Sequence, residues 1–339
     1  MHRFHSLVSG AGFEVTVKRR TVDATYMNVT VPAMVPPKYE VAPGVRLITP
    51  NQLPALEDQP SHYTVVGAGK TGIDACLWLL SHGTDPSDIT WIMPRDSWLI
   101  DRAHTQPGDS HFEREAARRE AVTSAHTVQE LFTRLEDSGL LLRLSPDIEP
   151  TAYRCATVAR AELEQLRRIG DIVRHGRVKR IDENAIECDQ ATIPAQTGTL
   201  YIDCTADGLE RRPTVPVFDQ TRITLQAVIP CQQVVGAALT AHVEASYADD
   251  DTKNALCAPS QHPDSALDWI QYFGDIQERI VRWSDDPALV EWLSTCRLMG
   301  RRLPEISPEQ RTALLPMFEA QKLKLEQLLQ QENVVAAVN

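Results

Sequence analysis

The chain has no apolar run of 18 residues, so it offers no transmembrane helix. Its start, Met1-His2-Arg3-Phe4-His5, lacks the apolar stretch of a signal peptide. There is no C-x-x-C pair. The seven cysteines, Cys76, Cys155, Cys188, Cys204, Cys231, Cys257 and Cys296, form an odd, dispersed set that reads as reduced thiols, most of them small core residues. The ten histidines are equally scattered, with no H-E-x-x-H and no clustered Cys/His pattern, so no metal site is expected. No basic stripe stands out against a net charge of −12, which argues against nucleic acid as a partner. These absences lead us to expect a cytosolic globular protein, and 339 residues suffice for about two domains.

What the sequence does carry is concentrated at residues 63–80. Tyr63-Thr64-Val65-Val66 is a short apolar, β-branched run of the kind buried on both faces of a parallel sheet. Gly67-Ala68-Gly69-Lys70-Thr71-Gly72 follows with the spacing G-x-G-x-x-G. In such a unit the first glycine permits the tight turn, the second lets backbone approach a pyrophosphate, and the third lets helix pack close on strand. Ile73, Cys76, Leu77 and Leu80 then recur at helical spacing, and Gly83 stands where a helix C-cap glycine belongs. The phosphate loop of nucleotide hydrolases would need a glycine five positions before Gly69, where Thr64 stands. The fold class expected is therefore α/β, with a Rossmann-like NAD(P)-binding domain.

The second strand of the unit is expected at Ile89-Thr90-Trp91-Ile92-Met93, ending in Pro94-Arg95-Asp96. An acidic side chain about 20 residues beyond the glycines bonds the ribose 2′-hydroxyl of NAD, whereas an arginine accommodates the 2′-phosphate of NADP. Arg95 lies 23 residues past Gly72, directly after the strand, and a guanidinium grips phosphate bidentately. NADP(H) is thus favoured, with Arg102 assisting, and Asp96 is expected to point elsewhere. Lys70 and Thr71 lie at the helix N-terminus, where backbone N–H groups favour anions. No acid–base or nucleophile constellation is legible.

Elsewhere, Gly10-Ala11-Gly12 imitates a second fingerprint, but Val15 occupies the third glycine position and the flanks alternate as strands, so a hairpin turn is expected. Short strands are expected at 21–26 and 45–48, with a proline-rich connector at 28–39 between them and polar linker at 51–60. Residues 108–170 read as a mostly helical insertion, with helices at 112–122, 127–138 and 156–170. Short strands near Val173, 178–181 and 185–188 suggest a small antiparallel crossover. Thr199–Asp203 reads as a strand, 223–229 as the last one, and the chain beyond Val234 as helical, its final helices split at Pro316.

Taken together, Asp23-Ala24-Thr25-Tyr26, the prolines at 32 and 36, the glycine unit and Cys204-Thr205-Ala206-Asp207-Gly208 resemble the class B flavin-dependent monooxygenases and related FAD/NAD(P)-dependent oxidoreductases with two dinucleotide domains. The resemblance covers roughly residues 13–230. It implies an NADPH domain inserted in an FAD domain, with crossings marked by Ala-Thr-Gly-like turns at Thr25 and Thr205, and FAD as hydride acceptor. It also implies a family member lacking its N-terminal FAD fingerprint, since only 66 residues precede Gly67. Expected domains are 1–55, a remnant of the FAD-type domain; 56–198, the NAD(P) domain; 199–260, the return to the FAD-type domain; and 261–339, a helical C-terminal region. The function implied is an NADPH-dependent, monooxygenase-like flavoprotein acting on a small molecule, with a homodimer allowed. The alternatives are a non-catalytic nucleotide- or partner-binding remnant and a flavin-independent NADP(H) reductase.

Overall fold

A computed structural model describes residues 2–105, 110–208, 210–229, 231–296 and 308–338. At its centre lie five strands, all parallel, in the spatial order Asp171–Val173, Ile89–Ile92, His62–Val66, Thr199–Asp203, Leu47–Ile48. The three central strands are buried along their whole length. Alternate side chains go to opposite faces, as the period of two requires. Val65, Trp91, Leu200 and Ile202 join one apolar cluster with Ile73, Cys76 and Leu79 of the helix Lys70–Ser81 and Leu163 and Leu166 of the helix Arg160–Leu166. Val66, Ile92 and Tyr201 face the other way, onto Ile181 and Ile186. Those two belong to an antiparallel meander, Val178–Ile181, Ala185–Cys188 and Thr192–Pro194, joined at its edge by Glu40–Val41 in parallel. The molecule is thus mixed α/β, with helices on one face of a parallel sheet and a small sheet on the other.

The expectation of a mostly helical stretch over 108–170 holds only for its first half. Helices Ser110–Ser124 and Val128–Asp137 form, but Ala152–Val158 is a strand paired in parallel with Ser97–Asp101. The helix expected over 156–170 therefore starts at Arg160. Its first turn is held by Glu162 Oε2, which accepts the Ala159 N–H at 2.7 Å. Trp98 of Ser97–Asp101 lies beneath Phe132, and Phe132 meets Trp269 edge-on, their ring centroids 5.4 Å apart in both pairs. The same cluster takes Leu325 and Leu328 from the last helix, so the C-terminal helices pack on the 110–158 region.

Two further corrections concern single residues. The last helix runs unbroken from Pro308 to Val338 with Pro316 inside it, rather than splitting there. A proline removes one donor, and a 31-residue helix with many other bonds absorbs that loss. The strand expected over 223–229 shrinks to Arg222–Thr224, because buried Gln226 takes over the backbone of Val215: its Oε1 accepts the N–H at 3.0 Å and its Nε2 donates to the C=O at 2.7 Å.

Gly10-Ala11-Gly12 belongs to a hairpin, as expected, with His2–His5 antiparallel to Gly12–Val15. Among the described residues Thr21–Asp23 pairs in parallel with Arg222–Thr224 and no other strand. The adjacent Arg20 holds Glu244 at 3.0 Å and Asp250 at 2.6 Å, and fully buried Lys253 holds Glu244 at 2.7 Å, tying this segment to the C-terminal helices. Among the described residues no helix is long and apolar enough to cross a membrane.

The central sheet contains one pH-sensitive element. Buried His62 lies 2.9 Å from Thr90 Oγ1, and Thr90 in turn donates to Asp171. Burial lowers the His62 pKa from its usual 6.5, outweighing the opposite pull of Asp171. The unfolded chain therefore binds the extra proton more readily. Stability is full above about 6.5 and is lost as pH falls through the lower folded value. We expect urea midpoints to fall between pH 7.5 and 5.5, and the fall to be smaller in His62→Gln; equal falls in both proteins would refute the assignment.

Candidate dinucleotide site

The three glycines of the 67–72 turn have three different reasons to be glycine. Gly67 has φ +127°, which side-chain-bearing residues rarely adopt, and a Cβ there would meet the Cys204 carbonyl oxygen at 2.6 Å. Gly72 is helical, yet a Cβ would fall 2.1 Å from the Gly67 carbonyl oxygen. These two glycines are required by packing. Gly69 is different: its φ is −77°, and a Cβ would meet no atom within 4 Å. Neither backbone conformation nor packing requires glycine there. The turn is locked from below, where the buried Trp91 indole N–H donates to the Gly67 carbonyl at 2.8 Å and the Gly67 N–H donates to Ile92 at 2.9 Å.

The helix that begins here is well suited to an anion. Gly69 is its N-cap, no side chain caps it, and no acidic residue stands in its first turn. Ala68 and Lys70 are half-buried and Thr71 is exposed beside the opening. Lys70 forms an ion pair with Asp74 one turn on, which makes Asp74 a surface carboxylate. Arg102 reaches the same end of the sheet. It contacts Glu162 at 3.2 Å and the Thr157 carbonyl at 3.3 Å. The Glu162 carboxyl is held below its usual pKa by the Ala159 N–H first, then by Arg102, with Lys70 adding its field. Lys70 and Arg102 thus share one acidic neighbour. The turn follows directly on the carboxyl end of the strand His62–Val66, the end at which open parallel sheets bind ligands.

Arg95 stands directly after the second strand, but it is engaged. Its Nη2 lies 2.9 Å from Asp264 Oδ2, and Arg154 pairs with the same carboxylate while reaching Asp207 at 3.2 Å. Burial alone would raise the Asp264 pKa; the bonds from Arg95 and Arg154 outweigh it and hold the carboxyl below its usual range. Asp96 is buried and takes both Nε and Nη2 of Arg174 at 2.7 and 3.0 Å. Sequence reasoning missed Asp264, Arg154 and Glu162. Each lies more than 50 residues in sequence from the ion-pair partners named, in segments without a motif.

The two expected crossings share one local structure. Asp23 Oδ1 accepts the Thr25 N–H at 2.9 Å and its hydroxyl at 2.8 Å; Asp203 Oδ1 accepts the Thr205 N–H at 3.1 Å and its hydroxyl at 2.7 Å. A groove of about 310 Å³ lies beside the second crossing, between the proline-rich connector (Pro32, Met34, Pro36), Thr49 and Asp203. It does not reach the glycine turn. The other glycine pair, Gly10 and Gly12, sits in an exposed hairpin with no helix after it and builds no cradle.

No family model matches the chain. Over 325 residues it is 51% identical to an uncharacterized protein of Mycobacterium bovis and to uncharacterized proteins of two strains of Mycobacterium tuberculosis. Each match covers 94% of this chain and 60% of the relative, so the chain spans about three fifths of the length of these curated relatives.

The glycines separate fold from function experimentally. Gly72→Ala is expected to destabilise the protein by about 3 kcal/mol, because the clash is with backbone. Gly69→Ala is expected to leave the melting temperature unchanged within a degree or two and to abolish dinucleotide binding. Unimpaired binding by folded Gly69→Ala, measured by calorimetry, would remove the turn from the site.

Proposed function

We propose that the chain binds NADP(H) as part of an NADPH-dependent flavoprotein oxidoreductase of the class B monooxygenase type. The observation that carries this reading is Gly69: a glycine at an ordinary backbone conformation, facing open space at an uncapped helix N-terminus, between two glycines that packing demands. The Rossmann-like arrangement, the NAD(P) domain at 56–198 and its insertion in an FAD-type domain (1–55 and 199–260) belong to the same proposal. They are supported by the matching Asp-x-Thr turns at 23–25 and 203–205 and by the meander over the sheet.

In this reading backbone at Gly67, Ala68 and Gly69 receives the pyrophosphate, Lys70, Thr71 and Arg102 surround it, and Gly72 sets the helix. Arg95 takes the 2′-phosphate by exchanging it for Asp264. NADPH supplies a hydride; the chain holds and orients it. FAD does not fit the glycine turn at 10–12, which is a hairpin tip with no helix after it. Two fifths of each relative lies outside the match, more than the roughly 30 residues of a βαβ unit, which is room for a flavin fingerprint there. The second reading, a nucleotide- or partner-binding remnant without catalysis, draws on the exposed apolar side chains of the N-terminal part, Phe4, Leu7, Val8, Phe13 and Met34 among them.

Calorimetric titration with NADPH and NADH tests the cofactor. Arg95→Ala is expected to weaken NADPH by roughly ten- to a hundredfold, the worth of a charge-assisted bond, and NADH little. Asp264→Asn, which frees Arg95 and Arg154, is expected to tighten NADPH. Equal effects on both nucleotides would refute the phosphate role. NADPH oxidation followed by absorbance with free FAD added separates the two readings: turnover above the protein-free rate supports the oxidoreductase, and NADPH binding without turnover supports the remnant.

A further inference from the structure

Three side chains far apart in sequence meet beside the Arg95–Asp264–Arg154 network. Cys155 lies in the strand Ala152–Val158 where its register against Ser97–Asp101 shifts, between Tyr153 and Thr157. Cys231 precedes the helix Gln233–Ser246, and His262 lies in the segment leading to the helix Ala266–Ser284. Both sulfurs and a ring nitrogen lie within 4.8 Å of one another. Cys231 Sγ is 3.7 Å from His262 Nε2. At the usual zinc bond lengths to sulfur and nitrogen, two corners of a coordination tetrahedron stand about 3.6 Å apart.

The orientation of the ring agrees. His262 Nδ1 donates to the Pro263 carbonyl at 3.2 Å, which leaves the Nε2 lone pair toward Cys231. The backbone adds an independent observation. Among the described residues only Asn28, Cys155 and Cys231 have a left-handed φ without being glycine, and the two cysteines stand at +56° and +58°. Such strain persists where surrounding structure imposes it and gathers at functional sites.

We propose that Cys155, Cys231 and His262 form a binding site for a single zinc-class divalent cation, with two thiolates and one imidazole as ligands and the fourth corner open on the exposed Cys231 side. Two sulfurs and a nitrogen suit Zn²⁺ and exclude Mg²⁺ and Ca²⁺ as preferred ions. Binding releases the thiol protons of the two cysteines to solvent and forms no other bond than those to the metal. The site stands on its own geometry and does not depend on the dinucleotide reading.

The test is cobalt titration of the full, reduced chain after removal of bound metal. One Co²⁺ per chain is expected, with thiolate-to-cobalt charge transfer and the intense d–d bands of tetrahedral geometry, all displaced by Zn²⁺. Cys231→Ser should weaken the charge-transfer band, and His262→Ala should weaken Co²⁺ binding roughly a hundredfold or more while the metal-free melting temperature stays that of the parent. In the wild-type chain, Zn²⁺ should slow alkylation of Cys231 by iodoacetamide at least roughly tenfold. Absence of charge transfer, cobalt binding unaltered in the variants, no protection of Cys231, or a Cys155–Cys231 disulfide in protein kept under reductant would each overturn the site.

Discussion

The contact on which the rest of the structure depends is made by atoms that are missing. Gly72 has no side chain, so its backbone closes on the Gly67 carbonyl to a distance at which a methyl group would lie 2.1 Å from oxygen. That approach sets the helix Lys70–Ser81 hard against the central strand. The Gly67 oxygen in turn accepts the Trp91 indole N–H from the neighbouring strand. Helix, turn and two strands thereby become one rigid piece. The open space before Gly69 is the surface this piece cannot fill by itself, and its shape is fixed by packing beneath it rather than by loop residues.

Local order was legible and distant order was not. The strand at 63–66, the turn and close-packing roles of Gly67 and Gly72, the helix, its Gly83 cap and the strand beginning at Ile89 each rest on neighbours within a few residues, and the chain states those directly. Gly83 does take φ +89°, as a C-cap glycine should. By contrast, Ala152–Val158 shows its strand character only against Ser97–Asp101, more than 50 residues earlier, while its following segment reads as helix. The partners of Arg95 and Arg102 were hidden for the same reason: a carboxylate gives no sign in sequence of which guanidinium it meets. The cysteines at 155 and 231 and the histidine at 262 show the strongest form of this. Their spacings match no ligand pattern, and a strand bulge, a helix start and a loop bring them together.

The N-terminal part follows different rules. Thr21–Asp23 and Arg222–Thr224 form a two-stranded parallel pair, an arrangement that ordinary sheets extend and cover on both faces. Large apolar side chains in the preceding hairpin and in the connector stand in solvent. What anchors this part is charge: Arg20 and the fully buried Lys253 meet around Glu244 and Asp250. A buried cation of this kind costs much to leave unpaired, so it specifies the position of residue 20 more sharply than it stabilises it.

Asp264 has a consequence of a different order. By lying between Arg95 and Arg154 it serves as a built-in counterion. In the proposed reading an anion at the second strand's end would exchange with that carboxylate rather than with ions condensed from the bulk, so its affinity would fall less steeply with added salt than at an open basic cleft.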